Sequence, residues 1–469
     1  MTTDKQIFDA ACAAWHEAAT LRHKRQRYKR FTYGDQWSDR VIDGNQLMTA
    51  ADRARAHGRR PMTNNLLRRL VKSVIGRYRY MRQEQQPLDG DMARLYTLNN
   101  LDEIDCRSLE EFLISGCVIQ RVCRERRLMG LDTWVDIVSP ERFFINHISD
   151  PRGWDSELVG MLHDWSLNET LIRLGADDYN RRRLISQVYD HAPCPHTVLH
   201  IGDSATDTLS FTDTRPGRCR VIEVWTLEAD ERLRCHDPAR ATMFTLPIDT
   251  ACRLDNINRM RSQRNVPPID WRWDLVTRWR CRWFAPDGTL LLSHTSHAPD
   301  GGHPFRFKFY PMIDGEVHSL VEDVIDQQIY INELISLIDH VVSCAAKGVL
   351  LFPADEKLPG MSWQEVSDTW STPDGVIPIK GRNTNPPHQV MTQSSNLGAR
   401  ELLATQMQMF EDVSGVSNAL MGRDTSANSG VEHYESRVKN AIIAIADILD
   451  TYSNFIAERN RTLLPPSGR

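Results

Sequence analysis

Between His318 and Lys347 the chain runs for 30 residues without a glycine or a proline. These two residues are the usual interrupters of helices, so the stretch is expected to form one helix about 45 Å long. Ile331, Leu334, Ile338, Val341 and Ala345 recur at alternating spacings of three and four, the seam of a helix that packs lengthwise on others. Val321, Ile325 and Ile329 add a second apolar stripe. Glu322, Asp323, Asp326, Glu333 and Asp339 set five acids on the same helix against a single terminal base, Lys347. A helix apolar on more than one side and acidic on another suits contact between copies of a chain, or equally the centre of a monomeric core.

The flanking segments have a different texture. From Gly348 to Gly398 the chain is rich in Pro, Gly, Asn and Thr, with short strands expected at Val349–Phe352 and Val376–Ile379. A second helix is expected from Ala399 to about Val413, then a polar stretch at Gly422–Gly430. A last helix follows from about Val431 to Leu463, stopped by Pro465-Pro466. N-terminal to the long helix, helices are expected at Lys5–Arg30, across Leu66–Ile75 with Asn64 or Asn65 as cap, and at Leu101–Gly116, Leu167–Leu174 and Arg181–Val188. Strands are expected at Val118–Val122, Trp134–Val138, Val221–Trp225 and Arg278–Phe284. The class is α+β, with strands pairing as hairpins rather than through βαβ crossovers, and 469 residues allow about three domains.

Lys and Arg total 57 and Asp and Glu 62, a net charge of −5, which argues against a protein held on DNA by its overall charge. The charge is uneven, however. Arg22–Arg30 is a basic run, and between Arg53 and Gln83 there are ten Arg and Lys and no acid, with Tyr78 and Tyr80 interleaved. Such mixtures occur on nucleic-acid surfaces, but a solvated helical face, or an interface paired with acids like those of the long helix, is the favoured reading. No run of about 18 apolar residues is present, so no membrane-spanning helix is expected. The ten cysteines contain no CxxC pair, and the start of the chain has no apolar leader, so reduced thiols are expected.

His191, Cys194, His196 and His200 place four zinc-type donors within ten residues. Their spacing matches no known finger, and a polar surface loop is the favoured reading; a metal-dependent hydrolase or nuclease using them is the alternative function. His294, His297 and His303 form a weaker group. The P-loop, GxGxxG, HExxH and GxSxG patterns are all absent. Neither catalysis nor a cofactor is expected.

Taken in order, several short segments resemble the portal proteins of tailed bacteriophages, the ring at one capsid vertex through which DNA is packaged. They are Tyr33-Gly34-Asp35-Gln36-Trp37, then Arg60–Asn65 and Val71–Gly76; Val138-Ser139-Pro140-Glu141-Arg142-Phe143-Phe144; and Val221-Ile222-Glu223-Val224-Trp225. Next come His303-Pro304-Phe305, Asp314-Gly315, Ser319-Leu320-Val321, Asp326-Gln327-Gln328 and Ile331-Asn332. The series ends with Val413-Ser414-Gly415-Val416, Leu420-Met421-Gly422 and Ser429-Gly430. Each is built from common residues; their order across most of the chain carries the resemblance.

The resemblance implies a non-enzymatic subunit of a homo-oligomeric ring, typically a dodecamer. It implies a wing over 1–317, a stem helix over 318–347, a clip over 348–398, a second stem helix over 399–415, a tunnel loop over 416–430 and a closing wing or crown helix over 431–469. The chain stops shortly after Pro465-Pro466, so a short or missing crown is expected. Implied partners are further copies of the chain, the terminase large subunit, head–tail adaptors, major capsid and scaffolding proteins and the passing double-stranded DNA, with no membrane. The implied place is the virion's portal vertex, after assembly in the host cytoplasm. Glu322, Asp323, Asp326, Glu333 and Asp339 are the expected channel-lining acids. Arg423, Asp424, Thr425, Ser426, Asn428 and Ser429 are the expected tunnel-loop contacts.

Overall fold

A computed structural model describes residues 3–83, 90–127, 130–175, 178–190, 209–213, 217–296, 301–347, 349–371, 376–381, 387–390, 398–416, 443 and 445–463. The fold is mixed α+β. It divides into two compact units: residues 1–25, 78–319 and 448–469 form the first, and residues 26–77 and 320–447 the second.

The first unit is built on a six-stranded sheet. Its strands are β5 (Phe143–Ile145), β6 (Leu158–Trp165), β7 (Cys219–Asp237), β8 (Thr242–Pro247), β9 (Asp270–Phe284) and β10 (Leu290–Thr295). They run in the order β10-β9-β7-β6-β5, with β8 added to β7, and every pairing is antiparallel. The unbroken burial of Cys219–Trp225 shows that both faces of this sheet are covered. Phe144, Leu162, Ile222, Val224 and Phe284 meet Ile7, Ala11, Ala14 and Trp15 of helix α1 (Asp4–Glu17) on one face. Phe143, Val159, Val221, Trp225, Cys281 and Trp283 share the opposite core, which takes in residues of α7 (Leu167–Gly175) and α8 (Tyr179–Val188) and of a second sheet. This is the period-two alternation of a strand, read on both sides at once. Gly160 of β6 has no room for a side chain: a Cβ there would strike the Phe144 ring of β5 and the Glu223 carbonyl of β7, the strands on either side.

The second sheet has the order β11-β3-β4, from β3 (Cys117–Arg127), β4 (Gly130–Ile137) and β11 (Phe305–Phe309). Helix α6 (Leu101–Ser115) feeds it through Gly116, whose φ of 71° and tight approach to Val317 and the His318 carbonyl exclude a side chain. Helices α5 (Gly90–Asn99) and α13 (Ala446–Leu463) add a smaller core of Leu95, Tyr96, Leu101, Val135 and Leu463. Strands β7 and β9 extend well past the main sheet, where Leu233, Cys235 and Ile269 pack under Leu254 of α9 (Ala251–Gln263). A short hairpin, β12 (Pro311–Ile313) and β13 (Glu316–Val317), closes the unit.

In the second unit, α10 (Leu320–Lys347) packs along α12 (Ala399–Ser414). The unit also holds most of α2 (Ala19–Tyr33) and α4 (Leu66–Gln83), the hairpin β1 (Arg40–Asp43) and β2 (Gln46–Thr49), and α3 (Ala50–Ala56). Between α10 and α12 lie β14 (Val349–Leu351), paired with β15 (His388–Val390), and α11 (Trp363–Ser371).

Several expectations change. The single helix expected over Lys5–Arg30 is two, broken at Ala18. There the Arg22 guanidinium donates to the Trp15 carbonyl at 2.6 Å and lies 3.6 Å over its ring, capping α1 from the side. The strand expected at Val376–Ile379 is reduced to one bridge, Ile379 with Lys357, because β14 takes β15 as partner instead. Of the closing helix expected over Val431–Leu463, the described part is Ile443, Ile445 and α13. Among the described residues no helix is long and apolar enough to cross a membrane.

Two buried polar clusters fix the first unit. Arg459 on α13 is fully buried and forks onto Asp105 of α6, at 2.5 and 3.1 Å, while donating to Tyr96 and Gln120. Removing one partner leaves the other charged and desolvated, so Arg459→Met should cost about 3–5 kcal/mol, and adding Asp105→Leu should recover much of it. Urea unfolding of the two variants checks both outcomes. In the second cluster, burial opposes ionisation of Glu223, but Arg121, His163 and Trp225 outweigh it and hold the carboxyl at about 2. Burial also pulls the His163 imidazole below its ordinary value, against the pull of Glu223. Both folded-state values are depressed, so each contribution is complete above the unfolded value and fades on acidification, His163 from about pH 6.5 and Glu223 from about pH 4.3. The melting temperature should fall between about pH 7 and pH 5, with a flatter slope in His163→Gln.

Candidate channel-facing helix

The long helix α10 carries a polar ladder through its apolar side. Gln328, Asn332 and Ser336 lie four residues apart, one above the other, and all three are buried. They satisfy the main chain of the extended segment that leads into α4. The Gln328 Oε1 accepts from Leu66 N–H at 2.9 Å and Leu67 N–H at 3.3 Å, and its Nε2 donates to the Asn64 carbonyl at 2.7 Å. Asn332 Oδ1 accepts from Asn64 N–H at 2.9 Å, and Ser336 Oγ accepts from Met62 N–H at 3.2 Å. The first N–H groups of a helix have no partner within it, so Gln328 acts as a cap supplied by another helix.

The network continues into the turn after α2. Asn332 Nδ2 donates to Gln36 Oε1 at 2.5 Å, and Gln36 Nε2 donates to the Phe31 carbonyl at 2.8 Å. Asn65 caps α4 by accepting from Arg68 N–H at 3.0 Å, and its Nδ2 donates to the Thr32 carbonyl at 2.9 Å. Gln36, Asn64, Asn65, Gln328 and Asn332, from separate segments of the portal resemblance, therefore meet in one hydrogen-bonded cluster. The sequence signal for it was available: amides and a hydroxyl at four-residue spacing within an apolar stripe.

The five acids of α10 are split. At 3.6 residues per turn, Glu322, Asp326 and Glu333 share one stripe, with Asp323 beside it and Asp339 off to the other side. Glu322 accepts from the hydroxyl of buried Tyr28; burial first, then this carboxylate, pushes the phenol above its usual range. Glu333 pairs with Arg53 of α3 at 2.8 Å. Asp339 is half-buried, whereas Asp323 and Asp326 are exposed beside Tyr330. On α4 of the same unit, Arg68, Arg69 and Lys72 surround Asn65 and Ser73 in an open basic hollow, with Arg68 stacked 4.6 Å over Tyr33.

The remaining candidates fall elsewhere. Arg423, Asp424, Thr425, Ser426, Asn428 and Ser429 lie outside the described residues, as do His191, Cys194, His196, His200 and His297. His294 packs its ring against Trp225, and His303 stacks on Phe307. Burial, then Arg306, pulls the His303 imidazole down to about 3. Cys123, Glu125 and Asp136 do converge at metal-ligand spacing. Arg127 bridges both carboxylates, however, and Arg121 donates to the Cys123 sulfur at 3.1 Å. Burial pushes the Cys123 thiol up to about 12, so it is protonated, and the group is an ion-pair cluster.

Gln328→Leu leaves Leu67 N–H without its partner and takes one of two partners from Leu66 N–H and from the Asn64 carbonyl, which also bond each other at 2.9 Å, while Asn332→Leu strips Asn64 N–H and Gln36 Oε1. Each such group costs about 1–3 kcal/mol, against about 0.5–1.5 kcal/mol for the single bond lost in Ser336→Ala. Thermal melting should rank both Gln328→Leu and Asn332→Leu below Ser336→Ala. Amide exchange at Leu66 and Leu67 should accelerate in the first variant alone.

Comparison with known families matches residues 176–465 to the phage P22-like portal proteins. No individual curated protein matches the chain. The matched span runs from α8 through the long strands, the whole of α10 with its amide ladder, α12 and the end of α13. It covers well over half of the 469 residues, and the chain therefore belongs to the phage P22-like portal protein family.

Proposed function

We propose that this chain is the repeating subunit of a closed homo-oligomeric ring, a dodecamer by family resemblance, set at one vertex of a phage capsid. In this reading double-stranded DNA passes through the ring during packaging and ejection. The terminase large subunit and later the head–tail adaptors dock on it, and capsid and scaffolding proteins surround it. The subunit assembles in the host cytoplasm and remains in the virion. Its role is mechanical rather than catalytic. The metal-hydrolase alternative has no support from the family match.

The observation that carries this reading is the family match across α10, together with the exposed acids Asp323 and Asp326 on that helix. Cationic side chains bind DNA phosphates with release of counterions, and a pore lined with them would hold the duplex. Carboxylates repel the phosphates and keep the wall slippery. Of the five candidate acids, Asp323 and Asp326 fit that task best, because they are the exposed ones, whereas Glu322, Glu333 and Asp339 are partly buried. In this assignment the α+β body up to 317 is the wing, α10 and α12 the stem pair, and 348–398 the clip. The polar stretch 416–430 is the tunnel loop, and α13 belongs to the helix returning to the wing.

Reversing both exposed acids, Asp323→Lys with Asp326→Lys, tests the idea while leaving Glu322 and Glu333 in place. Rings should still form in negative-stain images, while DNA-filled heads fall by about tenfold or more and the loss eases at high salt. Normal packaging by this variant would sink the channel assignment.

A further inference from the structure

The first unit contains a cavity of about 810 Å³ that the channel reading leaves unused. Five consecutive residues of β3, Arg121 through Glu125, border it. Side chains of a strand alternate between faces, so five in a row can border one space only where that space runs along the strand's edge. The register accounts for the opening. Strand β11 covers β3 only from Cys117 to Arg121, and one further bond joins Val122 N–H to the Pro304 carbonyl. Upstream of Pro304 the chain leaves this sheet, and the Gly301 carbonyl accepts from Trp279 of β9 instead. Strand β3 itself continues to Arg127, paired on its far side with β4.

Val122 N–H faces the open side, so the main-chain groups of Arg124 and Arg126 face it too. Among the described residues no main-chain group pairs with them there. An uncovered edge of this kind is a template for another strand. The side chains around it are short of acceptors. Trp283 is 6% exposed and borders the cavity, yet among the described residues its Nε1 has no hydrogen-bond partner. The Arg121 Nε is in the same position. Arg124 and Arg461 border the cavity as exposed cations; Arg124 feels the Asp132 carboxylate at a distance, and among the described residues neither arginine forms a close ion pair. Three of the four acids that border it are engaged, Asp132 with Arg94 at 2.5 Å, Glu125 with Arg127 at 2.6 Å and Glu223 with Trp225 at 2.8 Å; the fourth, Asp91, is exposed at the start of α5. Among the described residues the edge lacks a main-chain partner, and five arginines border the space against four carboxylates.

We propose that this edge binds an extended acidic segment of a partner polypeptide, which adds to β3 as a strand. Its carboxylates reach Arg124 and Arg461, and an apolar side chain beside them fills the wall at Trp283. Main-chain bonds along an edge supply affinity and alternate side chains supply selectivity, which favours a peptide over a free small anion. The site lies wholly within the first unit and stands independently of the ring reading.

Panning a displayed library of peptides about ten residues long against the purified full chain tests this. Sequences alternating apolar residues with Asp or Glu should be enriched. A synthetic winner should lose about tenfold or more in affinity to Arg124→Glu and to Arg461→Glu, exposed positions whose replacement leaves the melting temperature unchanged. Amide exchange at Arg124 and Arg126 should slow when the peptide binds. The proposal is overturned by absence of enrichment, by enrichment of basic or charge-indifferent sequences, or by winners insensitive to both substitutions. Slowed exchange at Arg124 and Arg126 in the concentrated protein alone overturns it as well, since a second copy would then be the occupant.

Discussion

The second unit depends on one solution to a general constraint: buried main-chain groups must find partners. The segment before α4 is extended and crosses the apolar side of α10, where water cannot serve its amides. Gln328, Asn332 and Ser336 serve them instead, each one turn above the last. The same amides reach Gln36 and, through Asn65, the end of α2. Side chains from three separated parts of the chain thus fix the rotation of α10 about its own axis. That rotation decides which carboxylates stay against the protein and which face outward. Glu322 and Glu333 are drawn to Tyr28 and Arg53; Asp323 and Asp326 remain exposed.

The charge balance takes on a physical meaning in this light. A net charge of −5 conceals basic stretches near the N-terminus, and much of their charge is spent internally. Arg25 is buried between Glu111 and Glu141, Arg27 and Arg30 share Asp39, and Arg53 holds Glu333. These arginines fasten helices to one another, as Arg25 and Arg53 do, or to neighbouring turns, as Arg27 and Arg30 do at Asp39. Arginine suits the task because its planar fork can satisfy two carboxylate oxygens or two acids at once.

Much of the fold was legible because its signals are local. Periodicity located α10, α12, α6 and the cores of β7 and β9, and Asn65 and Gly116 announced helix ends by their chemistry. What escaped was set at a distance. The break at Ala18 follows from Arg22 turning back on Trp15, which no spacing rule reveals. The strand β15 exists because β14 needs a partner, and the far ends of β7 and β9 exist because α9 covers Leu233 and Cys235. The acids of α10 were visible as a set, yet their division required the rotation that Gln328 and Asn332 impose. The segments of family resemblance that hold Gln36, Asn64, Asn65, Gln328 and Asn332, each weak alone, proved to be pieces of that one cluster.

The central claim is that α10 faces a channel at the centre of a closed ring. A cryo-EM reconstruction of the assembled protein tests it most directly. The account predicts a ring with a central pore, Asp323 and Asp326 on the pore wall, and Gln328 and Asn332 turned away from it toward the 62–67 segment. A particle without a central pore, or a ring in which Asp323 and Asp326 lie on the outer rim, would contradict it.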